Sequence, residues 1–106
     1  NFYKNTYWNK ITFDAMGKFI VVTEKYGVSP MALALKWART HPVVSACIVG
    51  ARTLDQLQQN LVAWEEDVPN EAINDATAIG DHLWDTAPWK PQMHSTPRTP
   101  ATAAKA

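Results

Sequence analysis

Residues 43–50 read VVSACIVG. The run does not alternate apolar with polar, is rich in β-branched side chains and stops at a glycine. That is the pattern of a strand covered on both faces, as in the parallel sheets of α/β proteins. Such a strand cannot stand alone, because its backbone N–H and C=O groups need neighbours along both edges. No other stretch of the 106 residues reads as an equal partner. The expected fold class is therefore α/β, mostly helical, with one buried parallel strand at about 43–49 whose partners lie in upstream sequence.

On either side of that run the pattern is helical. In SPMALALKWARTHP (29–42), Ser29 suits the N-cap, Pro30 the first helical position, and Pro42 closes the end. Leu33, Trp37 and Ala38 share a face, and His41 falls in the last turn, where it caps the helix and favours its dipole. Further upstream the spacing predicts a helix over 12–26, with Thr12 as N-cap, Asp14 in the first turn, and Phe13, Met16, Ile20 and Thr23 near one face. Gly27 is placed to end it in a left-handed conformation. Beyond the strand, a helix is expected over 53–66 with Leu54, Leu57, Leu61 and Trp64 on one stripe. Another runs from about Pro69 to Trp84 through Ile73, Ala76, Gly80 and Leu83, its small residues allowing close packing. From Asp85 onward, Pro88, Pro91, Pro97 and Pro100 stand among Thr, Ser, Ala and Lys, so 85–106 reads as an irregular to disordered tail. The order helix, helix, buried strand, helix, helix fits the last piece of a (β/α) barrel. A free-standing bundle would leave the continuous apolar strand unexplained.

Bulk properties narrow the function classes. Ten basic and ten acidic side chains cancel, which argues against a protein whose main partner is nucleic acid. No apolar run approaches the length of a bilayer span. The opening stretch NFYKNTYWNK is aromatic-rich and lacks the basic start and apolar centre of a signal peptide. With Asn1 in first place, the sequence reads as starting inside a longer protein. Cys47 is the single cysteine and lies in the apolar run; a lone buried thiol suits a reducing, cytoplasmic setting.

The chemistry concentrates where the strand ends, in GARTLDQLQQN (50–60). Gly50 lets the backbone come close to a ligand, and a helix opens within a few residues. Its free N–H groups and positive dipole end then point into that space. Arg52 adds a planar fork able to hold a phosphate through two hydrogen bonds. Gln56, Gln59 and Asn60 lie along the first two turns, where their amides can converge on one polar group. A plainer reading stands beside this one. Thr53-x-x-Gln56 is itself a capping box, with Thr53 bonding forward and Gln56 reaching back. Spacing alone leaves both open.

The wider context resembles a known family. YGVSPMALALKWARTHPVVSACIVGARTLDQLQQNLVAW (26–64) is similar to the C-terminal segment of the aldo-keto reductase superfamily. There, a helix of the type G-x-[ST]-x-x-x-x-A-L-x-W precedes the eighth barrel strand, a Gly-x-[Arg/Ser] turn, and a helix with Gln-Leu-x-x-Asn. Gly27, Ser29, Ala34, Leu35 and Trp37 match the first element, and Gly50, Arg52, Gln56, Leu57 and Asn60 the second. YKNTYWNKITFDAM (3–16) resembles the loop and helix after the seventh strand in the branch containing potassium-channel β subunits and aflatoxin-aldehyde-type reductases. The resemblance covers roughly 3–84.

It implies that 1–84 is the C-terminal portion of a (β/α)8 TIM-type barrel, with the cofactor at the C-terminal ends of the strands. Gly50, Ala51 and Arg52 would surround the 2′-phosphate of NADP(H), and Gln56, Gln59 and Asn60 would face its adenosine. The branch often has Glu at the position of Gln59, and Gln keeps an acceptor there. The implied activity is hydride transfer between NADPH and an aldehyde or ketone, with a Tyr as general acid supported by Lys, Asp and His. Those residues come from the first half of the barrel. Tyr3, Tyr7, Tyr26, Lys4, Lys10 and His41 do not match their contexts, so no catalytic residue is assigned and the chain alone is expected to be inactive.

Other residues are weighed on their own surroundings. Trp37 and Trp64, two of five tryptophans, sit on apolar faces and read as core. Tyr7 and Trp8, in what resembles a barrel-mouth loop, and Trp84 and Trp89, in HLWDTAPWKPQ (82–92), are candidates for contact with a small carbonyl substrate. His82 and His94 lack partners at metal spacing, so no metal is expected. Two rival functions remain. One is a regulatory subunit of the same fold that binds NADP(H) without fast turnover. The other is a helix-turn-helix reading of EKYGVSPMALALKWARTHP (24–42), disfavoured by zero net charge and an apolar second helix.

Overall fold

In a computed structural model of the chain, residues 8–86 are described. They form four helices: α1 (Lys10–Tyr26), α2 (Pro30–Arg39), α3 (Leu54–Glu65) and α4 (Asn70–Thr86). Long helix α4 packs along α1, and α2 packs against both α3 and α4. Among the described residues no helix is long and apolar enough to cross a membrane.

The first helix starts two residues earlier than its spacing suggests. Asn9, not Thr12, is the N-cap: its side-chain oxygen accepts from the Thr12 N–H at 2.9 Å and the Thr12 hydroxyl at 3.1 Å. The helix closes as expected. Gly27 has φ 64°, its N–H donates to the Glu24 carbonyl, and the Val28 N–H reaches back to Thr23. This double bond pattern is a Schellman motif, and the positive φ is what makes glycine the fitting residue there. The buried face is not the one expected. It runs through Val22 and Thr23 with Phe19 and Tyr26 half-buried, while Phe13, Met16 and Ile20 are exposed.

Helix α2 begins on Ser29, whose Oγ accepts from the Ala32 N–H, with Pro30 in the first turn. It ends at Arg39, before the proline. Thr40 caps it through a 2.6 Å bond from its hydroxyl to the Lys36 carbonyl. His41, read as the last-turn cap, lies beyond it, and its Nδ1 accepts from the Val43 N–H.

The strand expected at 43–49 is not formed. Its first two residues are taken by a turn in which the Val44 N–H donates to the His41 carbonyl at 3.0 Å, with Pro42 in the second position that favours it. The remainder has no regular structure among the described residues. Far from buried, Val43 and Ile48 are exposed, and Cys47 is only half-buried. The physical reason is the absence of a ladder. Nothing in 8–86 offers this backbone an edge to pair with.

The core is small and built from small side chains. Leu33 is fully buried, with Val22, Leu35, Val68 and the alanines Ala32, Ala63, Ala72 and Ala76 around it. Four alanines at the seam let the helices approach closely. Trp37 and Trp64 both pack against this core, each half-buried with a polar tether. The Trp37 Nε1–H donates to Thr77 Oγ at 3.0 Å, tying α2 to α4. The Arg39 guanidinium stands 4.3 Å over the Trp64 ring, tying α2 to α3. Helix α3 departs most from its pattern: Leu54 (71 % exposed), Leu57 and Leu61 form an outward stripe, and Asn60 and Ala63 face inward. Helix α4 continues two residues past Trp84, into the segment read as irregular.

Candidate functional site

The junction between residue 50 and α3 is held by short-range polar contacts. Thr53, extended at φ −129° and ψ 158°, caps the helix by accepting from the Gln56 N–H at 3.2 Å. The Gln56 side chain reaches back, but one residue beyond the usual capping-box partner: its Oε1 accepts from the Arg52 N–H at 2.8 Å. The first intrahelical bond runs from the Leu57 N–H to the Thr53 carbonyl. The amides of Leu54 and Asp55 therefore remain as open donors of the first turn.

The capping reading is thus observed, in a shifted form. Capping uses Thr53, Gln56 and the Arg52 N–H, and it leaves the Arg52 side chain exposed and without an ion pair among the described residues. Gly50 and Ala51 are exposed as well. A Cβ added at Gly50 would meet nothing within 4 Å, and Gly50 does not have a positive φ. Neither packing among the described residues nor backbone angle calls for glycine there. Close approach by another group would. A guanidinium, two open amides and an uncrowded turn make a site suited to an anion with several oxygens, such as a phosphate monoester.

The three amides expected to converge do not. Gln56 is engaged with Arg52, Gln59 donates its Nε2–H to the Asp55 carboxylate at 2.8 Å, and Asn60 donates from Nδ2 to the Gly50 carbonyl at 3.4 Å. Gln56 and Gln59 are exposed, whereas Asn60 is 8 % exposed. Gln59 suits its neighbour, since a carboxylate at 59 would repel Asp55 one turn earlier. The open amides of Leu54 and Asp55 were not singled out from sequence, although they follow once Thr53 is taken as the cap.

The weaker substrate candidates stand elsewhere. Trp8 is exposed and packs edge-to-face on Phe13 with ring centres 5.3 Å apart. Trp84 lies near the end of α4 and is partly exposed. Tyr7 and Trp89 fall outside the described residues. Helices α1 and α4 flank a groove of about 370 Å³ lined by Ile11, Ala15, Lys18, Ile79, His82 and Leu83, and none of residues 50–60 borders it. Among the described residues no group of three or more His, Cys, Asp or Glu could hold a metal ion; His94 lies outside them. Tyr26, Lys25 and Asp75 do meet, but the Tyr26 hydroxyl is donated to the Asp75 carboxylate at 2.9 Å. A phenol committed in this way ties α1 to α4 and has no proton aimed at a substrate.

Comparison with known proteins gives the family of the chain. The aldo/keto reductase family profile matches residues 2–81. Aflatoxin B1 aldehyde reductase member 2 of Homo sapiens is 34 % identical over 94 residues, covering 76 % of this chain and 25 % of that protein. An aldo-keto reductase of Pseudocercospora fijiensis is 31 % identical over 65 residues, covering 57 % of this chain and 22 % of its own length. Protein tas of Escherichia coli is 25 % identical over 73 residues, covering 69 % and 21 %. The chain spans about a fifth to a quarter of the length of these curated relatives. No solved structure matches it. Since the family profile runs through α1, α2, the Gly50–Arg52 turn, α3 and most of α4, the chain belongs to the aldo/keto reductase family.

Proposed function

We propose that residues 1–84 are the C-terminal, NADP(H)-binding portion of a (β/α)8-barrel oxidoreductase that transfers hydride between NADPH and an aldehyde or ketone. The observation that carries this reading is the Arg52 guanidinium, exposed and without an ion pair among the described residues, beside the open first turn of α3. An adenosine 2′-phosphate would find there a charged fork, two backbone donors and the positive end of a helix. NADH brings no such dianion, so the site distinguishes the two cofactors. Gly50 and Ala51 leave room for the phosphate, and the adenosine lies on the side of α3 that carries Gln56, Gln59 and Asn60. The cofactor supplies the hydride when bound. This segment's part is to bind and orient it.

Family membership and the human relative's name, an aldehyde reductase, support the choice of a carbonyl substrate. No residue of 8–86 has the setting of a general acid at the junction, so in this reading the general acid lies outside these described residues. The test uses the full-length protein. Arg52→Ala is expected to weaken NADPH binding by roughly 1–3 kcal/mol, the range for a lost charge-assisted contact, and to leave NADH nearly unchanged. Equal losses for both cofactors would overturn the 2′-phosphate assignment.

A further inference from the structure

The geometry points to Glu66 as a positioning residue for the nucleotide: by tying the far end of α3 to the start of α2, it sets where Arg52 and the first turn of α3 stand. This inference rests on the NADP(H) reading above and deepens it.

Helix α3 carries its cofactor-facing groups at one end and its anchors at the other. Arg52 and the open amides of Leu54 and Asp55 lie at its start. Its ties to the helical core fall in the last turn and just beyond. Ala63 is buried, and the Trp64 ring lies 4.3 Å from the Arg39 guanidinium. Both Glu66 carboxylate oxygens are engaged by Ser29, one by its N–H at 2.7 Å and the other by its hydroxyl at 2.8 Å. Ser29 and Arg39 mark the two ends of α2, so these contacts fix the height of α3 against α2 as well as its angle. From Glu66 back to Leu54 is about 18 Å, and a tilt of about 10° at the anchor moves the first turn by about 3 Å. A hydrogen bond to a phosphate oxygen does not survive a shift of that size.

Closing a barrel around 43–49 leaves this anchor in place, because Ser29 and Glu66 both lie outside that run. The outward Leu54, Leu57 and Leu61 would then rest on the barrel. Apolar contact of that kind is non-directional, so it holds α3 down without choosing its height along the surface. Two short hydrogen bonds to one carboxylate do choose it, since they weaken steeply with distance and angle. Gln56, Gln59 and Asn60 ride on the same helix, so the clamp places them together with Arg52. Ordering the site in this way before the ligand arrives raises affinity without a new contact.

The test is made on the full-length protein, with dissociation constants for NADPH and NADH read by titration calorimetry so that the stoichiometry reports the folded fraction. Glu66→Ala is expected to weaken NADPH several-fold at unchanged stoichiometry, with a smaller loss for NADH, which lacks the 2′-phosphate. Glu66→Gln keeps an acceptor for the Ser29 N–H and is expected to bind NADPH nearly as the parent does. Thr77→Val is the control for general loosening. It removes the acceptor of the Trp37 Nε1–H between α2 and α4, lowers the melting temperature, and is expected to leave both constants unchanged. Should Glu66→Ala not fold, Glu66→Asp, which keeps the charge and shortens the reach by one methylene, reads the same shift. Parent-like NADPH binding in a folded Glu66→Ala or Glu66→Asp protein would overturn the inference, as would an equal loss in Thr77→Val. If Arg52→Ala costs NADPH and NADH equally, the cofactor reading fails first and the positioning role falls with it. A selective loss in Arg52→Ala beside parent-like Glu66 variants strikes the positioning role alone.

Discussion

One carboxylate oxygen of Asp75 receives both the Lys25 ammonium at 3.1 Å and the Tyr26 hydroxyl at 2.9 Å. The Lys25 ammonium also stands 4.8 Å from the centre of the Tyr26 ring. Together Lys25 first and Tyr26 second hold the Asp75 carboxyl below its ordinary pKa. The bond with Tyr26, and then the pair with Asp75, raise the Lys25 ammonium above its own. The signs fix where the cluster stabilises. A depressed carboxyl contributes above its unfolded pKa and loses that contribution as pH falls through the folded value. A raised ammonium contributes below its unfolded pKa and loses it as pH climbs through the folded one. The tie between α1 and α4 is therefore complete at neutral pH and fails in acid first through Asp75. We predict that Asp75→Asn lowers the urea midpoint at pH 7 and that the gap to the parent closes as pH drops below the carboxylate range. Both charged groups are well exposed, so the gap is small. A gap of constant size into acid would mean that charge is not what the contact supplies.

At the scale of elements, the informative contact lies between segments distant in sequence. Glu66, just past α3, accepts from the Ser29 N–H at 2.7 Å and from the Ser29 hydroxyl at 2.8 Å. Ser29 in turn caps α2, so one carboxylate fixes the start of one helix to the end of another. Glu66→Ala is expected to destabilise the protein by about 1–3 kcal/mol, the range for losing hydrogen bonds to a charged group. Glu66→Gln keeps an acceptor and should lose less. Similar midpoints for Glu66→Ala and the parent in urea unfolding would remove this contact from the account. The Glu66 clamp was invisible in the sequence because its partners are thirty-seven residues apart, while the cap it reinforces was legible from Ser29-Pro30 alone. The same division holds elsewhere. Gly27, Ser29 and Thr53 signal helix ends through bonds three to five residues away, and all three act as read. What a face packs against is a long-range matter. Val22 rather than Ile20, and Ala63 rather than Leu61, turn inward because the available neighbours are α4 and α2. At the junction, residue types and spacing identified Arg52 and the capping pair, but nothing local showed that Asn60 would reach back to Gly50.

For the whole molecule, the sorting of side chains is inverted where a partner is expected. The four helices bury alanines at their seam and leave Leu54, Leu57, Leu61 and Val62 of α3 outward, next to a connecting run whose Ile48 is fully exposed. Apolar side chains this bulky are costly to leave in water, at about 25 cal/mol per Å² of apolar surface. The proposed barrel resolves the inversion. With neighbouring strands about 4.8 Å to either side, 43–49 gains a ladder, and its alternate residues face the barrel interior and the helix layer. The two states make opposite predictions for Ile48→Asp. At a solvent-exposed site such a change stays within about 0.5 kcal/mol. Inside a barrel it buries a carboxylate with no partner, and the loss is several kcal/mol. We expect the larger loss in chemical unfolding of the full-length protein, together with slow hydrogen exchange at the amides of residues 45–49. A neutral substitution with fast-exchanging amides would mean that the run stays outside any sheet, and the approach to Gly50 would then lie on an open loop instead of at the end of a barrel strand.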